Sequence, residues 1–155
     1  MYKFYLVVAL VIVCTLVPFG QNLEDICVEC GGLEYAFYVV GEVEEGCAEI
    51  IENGGEKIVR CAVSDTNIVR NSIKGRIRGE SFRCFGDMDV VEFILNRTSA
   101  KVVKEGYVDG IYTAYLYTGE IKDRGIELFG EKVNMQIAIN QGVVSVGTPI
   151  ILGSY

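Results

Sequence analysis

Lys132-Val-Asn-Met-Gln-Ile-Ala-Ile-Asn-Gln-Gly-Val-Val-Ser-Val-Gly-Thr-Pro-Ile-Ile-Leu-Gly-Ser-Tyr155 is the stretch from which the fold is read. Val133, Met135, Ile137 and Ile139 alternate with Asn134, Gln136 and Ala138, the period of an extended strand with one buried face. Asn140-Gln141-Gly142 supplies turn chemistry, and Val143 to Val146 runs back. The stretch is expected to be a hairpin of two half-buried strands, with nothing after it in the sequence to cover an edge.

Working outward, the same grammar recurs. Leu33 to Val40 has strand character, with Leu33, Tyr35, Phe37 and Val39 on one face. Asn53-Gly54-Gly55 is a hairpin turn between Cys47–Glu52 and Lys57–Val63, although Cys47–Glu52 also fits one helical turn. Asp109-Gly110 turns Lys101–Glu105 into Ile111–Thr118. Residues 119–130 form a polar connector holding a helical turn or an extra hairpin. Three helices interrupt the strands. One runs over Leu23–Val28 and is broken by Gly31-Gly32. A basic one runs over 65–78, with Asp65 as N-cap and Ile68, Val69, Ile73 and Ile77 on its apolar face. The third is capped by Asp87 and carries the stripe Met88, Val91, Ile94 and Leu95. Antiparallel strands with helices on one face make a two-layer α+β sandwich. Two similar halves are expected, about 33–79 and 80–155.

Half of the 155 residues are apolar, enough for the core of one domain. Behind Lys3, Phe4 to Val17 is an uncharged run of fourteen, followed by Pro18-Phe19-Gly20. That is short of the ~20 residues of a membrane span and fits the core of a signal peptide. Residues 1–20 are therefore expected to export a single domain of residues 21–155. They are either a cleaved signal or a retained anchor, because Pro18-Phe19-Gly20 is a poor small-x-small cleavage site. The expected location is extracytoplasmic, with membrane contact only through the N-terminal segment.

Charge is uneven. Residues 21–56 carry ten acids and no base, and residues 60–83 carry six bases against Asp65 and Glu80. Two solvated faces that attract each other explain this; so does a basic patch at Lys74, Arg76 and Arg78 for an anionic polymer or lipid. The net charge of −7 argues against a nucleic-acid partner, whose affinity rests on phosphate neutralisation. Five cysteines follow residue 20: Cys27, Cys30, Cys47, Cys61 and Cys84. Disulfides or free thiols, a zinc site and a thiol-redox site all stay open on spacing alone. Zinc would need ligands from Cys47, Cys61 or Cys84 at irregular intervals, and there is no histidine.

Several residues carry a family resemblance. Asn134-Met135-Gln136-Ile137-Ala138, Val144-Ser145-Val146-Gly147-Thr148-Pro149-Ile150 and Tyr155 resemble the C-terminal signature of the YwmB-like family, exported proteins of Gram-positive spore-forming bacteria. Phe82-Arg83-Cys84-Phe85-Gly86-Asp87 and the passage Val108 to Leu116 fit its second half, whereas residues 21–79 fit poorly. The resemblance implies a TATA-box-binding-protein-like fold and no catalytic residues, since the family's function is unassigned; fold alone carries no function. Its matching polar positions, Asn134, Gln136, Thr148 and Tyr155, are candidates for a surface recognised by an envelope partner, and equally for sheet packing.

The chemistry of the chain points away from catalysis. Without histidine there is no ordinary base near neutral pH, and none of the six serines lies in a Gly-x-Ser-x-Gly elbow. No Walker-type loop is present, and no cofactor or metal is expected. The expected role is a non-catalytic binding or assembly protein of the envelope, contacting a protein or wall polymer through Tyr-rich sheet faces (Tyr35, Tyr38, Tyr112, Tyr115, Tyr117) or the terminal strands. An envelope hydrolase using paired carboxylates is the alternative, as is anionic polymer or lipid binding by helix 65–78.

Overall fold

The computed structural model describes residues 22–152 apart from Glu45 and Cys47. The readings made for the signal segment 1–20, for Cys47 and for Tyr155 fall outside the described residues. The fold is α+β: among these residues, three helices accompany one eight-stranded antiparallel sheet and a two-stranded hairpin. In chain order the elements are α1 (Leu23–Glu29), β1 (Glu34–Val40), β2 (Glu49–Asn53), β3 (Glu56–Cys61), a 3-10 turn (Val63–Asp65), α2 (Thr66–Ser72) and β4 (Arg76–Phe85). Then follow α3 (Met88–Thr98), β5 (Lys101–Val108), β6 (Ile111–Tyr117), β7 (Ile126–Leu128), β8 (Glu131–Val133), β9 (Met135–Asn140) and β10 (Val143–Thr148).

Local chemistry explains the turns. The expected hairpin pairs Gly54-Gly55, Asp109-Gly110 and Gln141-Gly142 each place two consecutive residues at positive φ, the twist that two-residue hairpins need. Asp87 caps α3 by accepting from Met88 N at 2.9 Å, and Ser99 ends it in the left-handed region. Val91 and Ile94 of its stripe are fully buried. The polar connector holds β7, which forms a hairpin with β8 just beyond its end.

The sheet order is β2-β3-β1-β4-β10-β9-β6-β5. One row of partners crosses it: Cys61, Tyr35, Phe82, Val146, Ile137 and Ala114. These side chains join Leu23, Ile26 and Cys27 of α1, Val69 of α2, and Val91 and Ile94 of α3 in a single apolar cluster. Burial of a side chain such as Phe82 is worth roughly 1.5–3 kcal/mol.

The terminal hairpin is not at an edge. β9 and β10 sit between β6 and β4 in the middle of the sheet. Nor is it half-buried: Met135 to Ala138 and Val144 to Thr148 are buried throughout. Residues 150–152 return across the second face, where Ile151 N donates to Gln136 Oε1 at 2.9 Å. Gly147 permits this, since a Cβ there would lie 2.8 Å from Ile151 Cα. β1 is likewise buried on both faces, with Ala36 and Tyr38 on the side opposite Phe37.

The basic helix expected over 65–78 is two elements. α2 stops at Ser72, and Arg76 and Arg78 belong to β4. Ile73, at ψ 111°, forms a bridge with Val43, while Lys74 N and Gly75 N both donate to Glu42 O. Gly75 lies against the end of β1, where a Cβ would meet Val40 O at 2.4 Å. Helical propensity, already weakened at Gly75 by ~1 kcal/mol, yields to the pairing of Arg76 and Ile77 with Val40 and Val39. The expected boundary between halves at 79/80 falls inside β4, which pairs with β1 on one side and β10 on the other. From the sheet centre outward the strand orders differ, β4-β1-β3-β2 against β10-β9-β6-β5.

Candidate functional site

The residues singled out in the sequence go to separate places. Asn134 is buried and wired into the backbone: its Oδ1 accepts from Thr118 N at 3.0 Å, and its Nδ2 donates to Thr118 O at 2.7 Å. Gln136 is buried beneath Ile151. Both hold the fold together and present no surface. Lys74 and Arg78 are ion-paired to Glu44 and Glu56, and Arg76 is exposed at the start of β4. With Arg60 near Glu34 and Glu49, and Arg70 near Glu24, the acidic first stretch and the basic second stretch meet inside one half of the sheet.

Thr148 and Arg78 do come together, at a cleft of about 580 Å³ that also takes Glu24, Arg70, Glu80 and Lys122 into its wall. On its floor Arg70 donates to Glu80 Oε1 at 2.5 Å and to Glu80 Oε2 at 3.3 Å, with Glu24 Oε2 at 3.5 Å. The Tyr35 hydroxyl donates to Glu80 Oε2, and the Arg70 guanidinium stacks over Phe37 at 4.9 Å. Burial first, then the Glu80 charge and hydrogen bond, pushes the Tyr35 phenol well above its usual range. Arg70 is held firmly charged by Glu80 against the opposing effect of burial. Both oxygens of Glu80 thus accept hydrogen bonds, from Arg70 and from Tyr35. No sequence motif marks this network, because its members come from α1, β1, α2 and β4.

A second surface lies at the outer edge. β5 is the border strand and is exposed along most of its length. Its Lys101–Lys104 end carries charges and a register shift, both of which blunt a sheet edge. At its other end the charges are Glu105, which accepts from the Tyr112 hydroxyl, and Asp109 just beyond, and between them Tyr107 is 71% exposed and Val108 is 68% exposed. A groove of about 530 Å³ is lined there by Val108, Ile111, Thr113 and Tyr115, with Lys104, Glu105 and Asp109 at its rim. Its floor is Gly106, around which a Cβ would meet nothing within 4 Å. Beside it Tyr115 packs edge-on against Phe129 at 5.1 Å, and Lys104 Nζ sits 4.3 Å above the Phe129 ring. Of the tyrosines expected to form a binding face, Tyr115 serves this groove, whereas Tyr35, Tyr38 and Tyr112 are buried. The signal in the sequence was the alternation of β6; the exposed Tyr107-Val108 pair was missed because β5 was read as ending at Glu105.

Cys27, Cys30 and Cys84 carry free thiols, and no group of three or more Cys, Asp or Glu among the described residues is arranged to hold a metal ion. Among the described residues no helix is long and apolar enough to cross a membrane. Compared with known proteins, the chain matches no family model, no curated protein and no solved structure.

Proposed function

We propose that the chain is an exported, non-catalytic binding module of the bacterial cell envelope, and that it seats an extended segment of an envelope protein along β5 and over Gly106. The observation that carries this is the Gly106–Val108 end of β5: a border strand beside an aromatic-lined groove whose apolar wall is rimmed by Lys104, Glu105 and Asp109. An added strand satisfies such a border with main-chain hydrogen bonds, and alternate side chains fill the groove. Membership of the YwmB-like family belongs to the same proposal, as do a two-layer sandwich and a TATA-box-binding-protein-like plan. The shared cluster of helix and sheet side chains supports the layering, whereas the unlike strand orders of the halves weigh against a strict repeat.

Crosslinking the full chain in envelope extracts tests the role. One polypeptide should be captured by the wild type and by Lys74→Glu, and lost with Val108→Glu plus Ile111→Glu. Capture that is indifferent to those two substitutions rejects the proposal. The alternative, an envelope hydrolase, is favoured by Glu24 and Glu80 lying together on Arg70 in the cleft. Turnover of wall fragments by the wild type, abolished in Glu24→Gln, would establish it in place of binding.

A further inference from the structure

Thr148, the last residue of β10, lies directly across from Glu80 of β4, and cross-strand partners share a face of the sheet. Thr148 is only 5% exposed, and among the described residues its hydroxyl meets no hydrogen-bond partner. A buried hydroxyl left unpaired is costly, and native structures hold few of them. This one belongs to the wall of the 580 Å³ cleft, where a ligand from solvent has room to reach it. Two charges of opposite sign on the same wall are also weakly engaged. Glu24 meets Arg70 only across 3.5 Å, whereas Arg70 gives its shorter bonds to Glu80. Lys122, exposed on the connector, has no acidic partner among the described residues. The other charges are occupied: Arg78 pairs with Glu56 at 2.9 Å, and Asp123 accepts from Gly125 N at 2.7 Å.

We propose that this cleft binds a small zwitterion, an α-amino acid or a short peptide with free termini and an apolar side chain. The ligand's ammonium group pairs with Glu24. Its carboxylate pairs with Lys122 and accepts from the Thr148 hydroxyl, which is thereby satisfied. The side chain lies against Leu23, Ile77 and Ile121, the apolar part of the wall. Charge balance selects a dipolar ligand over a simple anion or cation: Glu24, Glu80 and Asp123 offset Arg70, Arg78 and Lys122. The site is independent of the β5 groove, since β9 and β6 stand between β10 and β5.

Equilibrium dialysis of the full chain against L-leucine and against the dipeptide Leu-Leu tests the site. At least one should bind, and the tighter of the two names the source of the zwitterion. N-acetyl-leucine and leucinamide each lack one charge and should bind on the order of tenfold more weakly than leucine. Thr148→Val should weaken binding about fivefold and raise the thermal midpoint of the free chain, because an unpaired hydroxyl leaves the interior. A residue that serves packing alone would shift the midpoint and leave the affinity as it was. Lys122→Ala removes an exposed side chain without touching the core, and should weaken binding about tenfold; it decides the matter if Thr148→Val does not fold. No binding of either ligand, N-acetyl-leucine bound as tightly as leucine, or an affinity unchanged in Thr148→Val or in Lys122→Ala overturns the proposal.

Discussion

Arg70 shows how much one side chain of α2 organises. It neutralises Glu80, reaches Glu24 and covers Phe37, and Glu80 in turn takes the Tyr35 hydroxyl. Removing one partner of an enclosed ion pair leaves the other desolvated and unanswered, a loss of 3–5 kcal/mol when burial is complete. Here the side chains keep 34% and 18% of their exposure. Arg70→Ala should therefore cost about 2 kcal/mol, seen as a lower urea midpoint with an unchanged slope. An Arg70→Ala midpoint equal to wild type would show that the contact carries no stability. Tyr35 adds a pH signature. Its folded pKa lies above its ordinary value of 10, so its contribution is complete below pH 10 and is lost as pH rises beyond it. In that range the unfolded chain gives up the phenol proton while the folded chain retains it. Stability should fall by up to ~1.4 kcal/mol per pH unit from this residue. In Tyr35→Phe that part of the alkaline slope should vanish; an identical slope in both proteins would contradict the assignment.

Among the elements, the boundary between α2 and β4 is the most instructive. Apolar spacing from Ile68 to Ile77 suits a helix, yet the chain leaves it after Ser72 because Gly75 must touch the β1 backbone. Gly75→Val should cost more than about 2 kcal/mol by forcing β1 and β4 apart, read by thermal unfolding. Gly106 has the opposite surroundings, open space on a border strand. Gly106→Leu should change stability by no more than about 0.5 kcal/mol while filling the groove and ending capture of the envelope partner. A Gly106→Leu chain that still captures the partner would place the contact elsewhere on the molecule.

Over the whole molecule, the last two strands join the two parts of the sheet. β4 meets β6 only through β10 and β9. A chain cut after residue 131 loses that join, and with it Met135, Ile137, Val144 and Val146 from the core. It should fail to fold, with strand signal lost in far-UV circular dichroism and no cooperative unfolding transition. A cooperative transition in the shortened chain would mean that one half stands alone.

The features legible in the amino-acid order are those stored in neighbouring residues. Gly54-Gly55, Asp109-Gly110 and Gln141-Gly142 announce their turns because few residues tolerate positive φ. Asp87 with Val91 and Ile94 announces α3 because cap and stripe lie within a few turns of one another. From these the α+β class and the three hairpin pairs β2–β3, β5–β6 and β9–β10 follow. Strand order, the central place of the final hairpin, the shortened α2 and the Arg70–Glu80–Tyr35 network needed the assembled chain. Each rests on residues far apart along the backbone, whose contact energy exists only once loop closure has brought their strands side by side. No local pattern of side chains encodes which strands those will be.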